Sequence, residues 1–250
     1  MNDVRRIADK ITAWLRTYAL DAGAGGYVVG LSGGIDSSVT AALCQRAVGE
    51  GVLGILMPCG SAPEDAEMAY LAADALRLKT VTVDLTTTHE ALLAALPPGL
   101  SDMAQANIKP RLRMATLYAL GQTYGYLVSG TGNKSELEIG YFTKYGDGGV
   151  DVEPLGELYK WQVRLLARYL GVPQPIIERP PTAGLWTGQT DEAEMGITYD
   201  ELDSTLAAIE AHQTGDIDHT LLQRVQHMVS ASAHKRALPP VCPLSKDGAP

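Results

Sequence analysis

Four short apolar runs, Tyr27–Leu31, Val52–Met57, Thr80–Val83 and Tyr126–Val128, constrain this chain more than any other feature, because at least one helical stretch separates each from the next. Such runs read as buried strands, and strands that alternate with helices pair in parallel. The expected fold is α/β: a single domain over residues 1–250, with a parallel sheet flanked by helices on both faces. A chain of 250 residues is long enough to bury such a core.

The helices are read from apolar spacing and end signals. Val4, Ile7, Ile11, Trp14, Leu15 and Tyr18 recur at three- and four-residue steps and predict an amphipathic opening helix that ends near Gly23 to Gly26. Asp36 to Val48 and Glu64 to Leu76 predict two more. Ser61-Ala62-Pro63-Glu64 has the spacing of a capping box, and Ser101 is expected to cap the next long helix. Pro110 predicts a kink or break near Lys109. A helix from about Leu158 to Leu170 should stop at Gly171 and Pro173, Pro180 to Gly196 should form a long ordered loop, and helices near Tyr199 to Ala211 and Thr220 to Ala233 follow. Disorder is expected only around Ser245 to Pro250.

The first strand runs into GLSGGIDSS, Gly30 to Ser38. Gly33 and Gly34 let backbone N–H groups turn toward a ligand, Ser32, Ser37 and Ser38 add hydroxyls, and the following helix points its positive end at the same place. That set suits a polyphosphate. The Gly-Lys-Ser/Thr of a kinase-type loop is missing, and Asp36 is repelled by phosphate unless a divalent cation such as Mg²⁺ intervenes. A plain strand-to-helix turn with Asp36 as its cap is the alternative. A second glycine-rich segment, GTGNKSE from Gly130, leaves the fourth strand. If the first and fourth strands are neighbours, both segments line one crevice at the carboxyl end of the sheet.

SGGIDS after a strand is similar to the loop of the PP-loop ATP pyrophosphatases, the N-type group that cleaves ATP between its α and β phosphates. YFTKYGDGGVDVEPLGELYKWQVRLLARYLG, PTAGLWTGQTDEAEMGITYDELD and the late HKR resemble, in order and spacing, the ammonia-dependent NAD synthetase family from Gly30 to Arg236. The resemblance implies an adenine-nucleotide α-hydrolase-like, Rossmann-like fold. It also implies ATP-dependent amidation of nicotinic acid adenine dinucleotide (deamido-NAD) by ammonia, through an adenylate and with release of AMP and pyrophosphate. Gly30, Leu31, Ser32, Gly33, Gly34, Ile35, Asp36 and Ser37, with Thr131, Lys160 and Thr182, match the family's ATP contacts. Asp36 and Glu136 match its Mg²⁺ ligands and, with Lys160, its catalytic set. Arg111, Lys144, Asp151, His234 and Lys235 match positions that hold the dinucleotide. Asn133-Lys134-Ser135 stands where the widespread bacterial form has His-Ala-Ala, which leaves the contacts around Asn133 and Gln189 open. Family members are homodimers that share the dinucleotide site.

The rest of the sequence narrows the alternatives. A net charge of -9 excludes a general nucleic-acid surface and disfavours a tRNA thiolase. A nucleotide-sensing module without catalysis does not need Asp36, Glu136 and Lys160 together. Cys44, Cys59 and Cys242 are too few and scattered for a disulfide framework, which fits a reducing, cytoplasmic setting. No glutaminase domain or glutaminase cysteine is expected, so free ammonia is the expected nitrogen source. The opening helix carries acids and is expected neither to lead secretion nor to span a membrane. Trp161, Tyr169 and Trp186 are expected in the core or an interface rather than stacked on a base.

Overall fold

The computed structural model describes residues 2–186 and 188–242; Thr187 and the expected disorder at Ser245 to Pro250 lie outside the described residues. Helix α1 (Asn2–Asp21) leads into β1 (Gly26–Gly30), α2 (Ile35–Val48), β2 (Val52–Leu56), α3 (Pro63–Leu76) and β3 (Lys79–Thr82). Helices α4 (Thr86–Ala95), α5 (Asp102–Ala106) and α6 (Ile108–Tyr124) precede β4 (Tyr126–Ser129). The remaining helices are α7 (Lys134–Ile139), α8 (Lys160–Leu170), α9 (Gln174–Glu178), α10 (Asp191–Met195), α11 (Tyr199–Glu210) and α12 (His219–Ser232).

The strands form one parallel sheet in the order β3-β2-β1-β4, with Tyr27 opposite Val52 on one side and Leu127 on the other. Strand order reverses beside β1, so the loops after β1 and β4 open a crevice at the carboxyl ends. Period-two alternation divides the core. Tyr27, Val29, Val52 and Leu56 pack with α1, α2, α3, α8 and α9, while Val28, Leu53, Ile55 and Val128 pack on the other face with Leu112, Leu117 and Leu120 of α6. A separate apolar cluster, including Ile139, Tyr159, Met195, Tyr199, Leu202 and Val225, joins α7, α10, α11 and α12 beyond the sheet edge.

Two local expectations fail, at Ser61 and over residues 180–196, and two others are narrowed. Ser61 does not cap α3: Ala62 holds the N-cap position, Pro63 needs no acceptor, and the Ser61 hydroxyl accepts from Cys59 N and Arg113 Nη2. The break before α6 falls at Asn107, so Pro110 sits in the first turn of α6 where its missing N–H costs nothing, and Ser101 caps α5. Residues 180–196 include a helix, α10, in place of continuous loop. Trp161, Tyr169 and Trp186 are exposed, which rules out the core and keeps the interface of the two expected settings.

Candidate active site

Between β1 and α2 the chain turns at Gly33, whose φ is +79°. A Cβ there would lie 2.6 Å from Asp65 O and 2.9 Å from Ala69 N, so both the backbone conformation and the packing against α3 require glycine. The turn is bound to itself: Ser37 Oγ donates to Gly34 O at 3.0 Å, and Ser32 Oγ accepts from Gly34 N at 3.2 Å and pairs with Ser37 Oγ at 3.1 Å. The first N–H groups of α2 have no partner inside the helix and are the donors an anion would find. Because β1 and β4 are neighbours, Gly30, Leu31, Ser32, Gly34, Ile35, Asp36 and Ser37 face Thr131 and Glu136 across one cavity of about 1080 Å³. Gly33 is packed beneath the turn rather than lining that cavity.

Lys160, the first residue of α8, is buried and joins the two loops. Its Nζ lies 2.7 Å from Asp36 Oδ2 and 3.0 Å from Glu136 Oε1. Burial disfavours the ammonium, but Asp36 and Glu136 outweigh it and hold Lys160 above the usual lysine range. Burial pushes the Glu136 carboxyl up to about 7, against the attraction of Lys160 and with help from Asp36 and Asp191. Asn133 completes the bridge: Nδ2 donates to Asp36 Oδ1 at 2.9 Å, and Oδ1 accepts from Glu136 N. Glu136 Oε2 accepts from Asn133 N in return, so this carboxylate is also the reciprocal acceptor of the capping box that starts α7.

A second ring of polar groups surrounds the three. Tyr199, the first residue of α11, has its hydroxyl 3.0 Å from both Glu136 Oε1 and Asp191 Oδ2, with Lys160 Nζ 4.7 Å from its ring centroid. Tyr141 donates to Asp191 and Glu194, and Gln189 Nε2 to Glu194 Oε2. Ser135 donates to Asp203, and its hydroxyl accepts from Lys160 N at 3.0 Å. Asp203 also accepts from Trp161 N at 3.1 Å, which caps the start of α8. Asn133 and Gln189 were left open by the sequence, and Tyr199, Asp191 and Asp203 were not singled out. The one available signal was Thr198-x-x-Glu201, a capping box that fixes Tyr199 at the first helical position.

Arg111, Lys144, Thr182, His234 and Lys235 all reach the cavity. Lys144 Nζ donates to His234 O at 2.5 Å, whereas Lys235 Nζ is committed to Gly140 O and Phe142 O at 2.7 and 2.8 Å. Asp151 is not among the residues lining the cavity; its carboxylate accepts from Val128 N at 2.8 Å and Tyr118 Oη at 3.1 Å. Cys44 and Cys59 are buried, and burial pushes the Cys44 thiol up to about 12, which makes it a poor nucleophile.

Among the described residues no group of three or more His, Cys, Asp or Glu side chains has the geometry of a metal cage. The site therefore offers a hard cation two carboxylates, Asp36 and Glu136, with other oxygens left to water and a phosphorylated ligand. That donor set suits Mg²⁺ and not a thiolate- or imidazole-bound metal. No helix among the described residues is long and apolar enough to cross a membrane.

Comparison with known proteins gives concordant likenesses. The family described as NAD synthase matches residues 7–239. The NH(3)-dependent NAD(+) synthetase of Carboxydothermus hydrogenoformans is 49% identical over 237 residues, covering 93% of this chain and 95% of its own. Among solved structures, NMN synthetase from Francisella tularensis has a TM-score of 0.89 at 36% identity, covering 96% of this chain and 99% of its own. NH3-dependent NAD synthetase from Campylobacter jejuni has a TM-score of 0.84 at 29% identity, with the same coverages.

Proposed function

The chain belongs to the NAD synthase family, and on that premise we propose that it amidates nicotinic acid adenine dinucleotide to NAD with ammonia, at the expense of ATP. A carboxylate cannot be displaced by ammonia until one of its oxygens becomes part of a leaving group. In the proposed sequence a carboxylate oxygen attacks the α-phosphorus of ATP, the α–β bridging bond breaks, and pyrophosphate departs. Ammonia then adds to the acyl carbon of the adenylate, loses a proton, and expels AMP as the amide forms.

The observation that carries this reading is Lys160 Nζ seated between Asp36 and Glu136 at the meeting point of the two strand-end loops. An attack of one anion on another needs positive charge held in place beforehand. The α2 N-terminus and the serine hydroxyls would hold pyrophosphate, with Lys160 beside it. Mg²⁺ bound by Asp36 and Glu136 would supply further charge neutralisation. Thr131 and Thr182 would contact ATP, and Arg111, Lys144, His234 and Lys235 the second nucleotide. Holding the two nucleotides in one cavity removes much of the entropic cost of their meeting.

Ammonia is taken directly as the nitrogen donor. A homodimer accords with α4, which has no buried residue, and with exposed Leu92, Leu96, Met103 and Tyr118 on that side. Asp151 would then act, if at all, on the partner's substrate. A cytoplasmic setting accords with an ATP-consuming reaction and free cysteines.

A second reading follows from the similarity to the NMN synthetase: the acid substrate is the mononucleotide. One assay separates the two. Protein, Mg-ATP and ammonium are combined with nicotinic acid adenine dinucleotide or with nicotinic acid mononucleotide, and AMP, pyrophosphate and amide are followed. Higher kcat/KM for the dinucleotide supports the main reading, higher kcat/KM for the mononucleotide replaces it, and pyrophosphate release from neither removes both. Glutamine in place of ammonium should give no product.

A further inference from the structure

We propose that Tyr199 is a positioning residue whose single phenolic proton keeps Glu136 apart from Asp191 and so holds Glu136 ready for the Mg-nucleotide. The inference rests on the functional reading above only in naming that ligand. It stands on four features of the structure.

The first is rigidity. Tyr199 is fully buried, it begins α11 behind the reciprocal Thr198–Glu201 cap, and its N–H donates to Glu192 Oε1 at 2.9 Å. The second is the sharing of one donor between two acids: Glu136 Oε1 and Asp191 Oδ2 each lie 3.0 Å from the hydroxyl. A phenol has one proton to give, and without it two carboxylates would face each other across a gap with no donor between them.

The third is the poverty of other restraints on Glu136. Its Oε2 has only the 3.3 Å contact from Asn133 N, and its Oε1 shares Lys160 with Asp36. The fourth is that α11 grips the same assembly one turn later. Asp203 receives Ser135, next to Glu136, and Trp161 N, next to Lys160. Residues four apart lie on one helix face, so Tyr199 and Asp203 brace α7 and α8 together.

A residue that only supports the fold would weaken every ligand alike. A residue that sets the Glu136 carboxylate should matter where a cation accompanies the nucleotide. The test compares the full-length protein with Tyr199→Phe, which keeps the ring beneath Lys160 and removes the hydroxyl. ATP binding is measured by calorimetry with Mg²⁺ and again in EDTA, beside thermal melts and steady-state kinetics. Loss of a hydrogen bond to a charged group predicts roughly tenfold weaker Mg-ATP binding, with binding in EDTA changed by less than about twofold. The kcat should fall while KM for the nicotinate nucleotide holds.

Equal losses with and without Mg²⁺, or no loss in either, would overturn the proposal. If Tyr199→Phe does not accumulate as folded protein, 3-fluorotyrosine at position 199 keeps the hydroxyl and nearly the shape while making the phenol a stronger donor. A shift confined to Mg-ATP then supports the proposal, and its absence overturns it. The binding arm needs no second substrate. Wild-type protein that binds Mg-ATP and forms no amide would therefore remove the functional reading while leaving Tyr199 tested.

Discussion

Asn133 and Asp36, 97 residues apart, are joined by a 2.9 Å hydrogen bond from the amide of one to the carboxylate of the other. The same amide caps α7 through Glu136 N, so Asn133→Ala removes a helix cap and a bond to a charged group at once. The summed cost should be about 2–4 kcal/mol of stability. Urea unfolding checks it. Asn133→Asp keeps the cap but sets a third carboxylate against Asp36, so it should melt nearer to wild type and still lose activity.

Lys160 keeps one partner when either acid is removed. Asp36→Ala and Glu136→Ala should each fold and each lose turnover. The double variant strands a buried ammonium and should lose a further ~3–5 kcal/mol. Thermal melts of the three proteins beside pyrophosphate release measure this, and full activity in either single variant would remove the metal assignment.

Glu153 packs against Gly130 and Gly132, and its carboxylate accepts from Gly132 N at 3.0 Å. Burial pushes it up to about 8 from 4.5, against that N–H. The folded protein thus binds a proton that the unfolded chain releases, and stability falls as pH rises across that window. Glu153→Gln should raise the Tm at pH 8, with the gain shrinking as pH is lowered toward 5. An equal gain at both pH values would show that ionisation is not its cause.

Lys144 and Lys235 are neighbours in the cavity wall with different commitments. Lys144 spends its ammonium on one carbonyl at the surface, and Lys144→Ala should raise KM for the nicotinate nucleotide by about tenfold with little change in Tm. Lys235 straps two carbonyls of the 140–142 segment, so Lys235→Ala should lower Tm as well as affinity.

The sheet was legible because β1 and β2 are short, apolar and buried, whereas β3 at the sheet edge is largely exposed. Tyr27 to Leu31 and Val52 to Met57 are displaced by at most one residue from the observed strands. The pairing of β1 with β4 was a condition that the sequence left open, and the strand order meets it. Ser61 misled because a capping-box spacing says nothing of Arg113, which arrives from α6 to take the hydroxyl. Asp36, Glu136 and Lys160 were found through motif resemblance. Asn133 and Tyr199 resisted because an amide or a phenol acquires its role only from the acids around it, and those come from segments far away in the chain. Asp151 matched by position, yet its carboxylate serves Val128 and Tyr118.

The support of Lys160 by α11 also orders events at synthesis. A chain leaving the ribosome carries its glycine turn once Ser38 has emerged, gains the lysine at residue 160, and obtains the braces for that lysine only with Tyr199 and Asp203. A chain cut between residues 160 and 199 would hold the turn and the lysine but lack both of those braces.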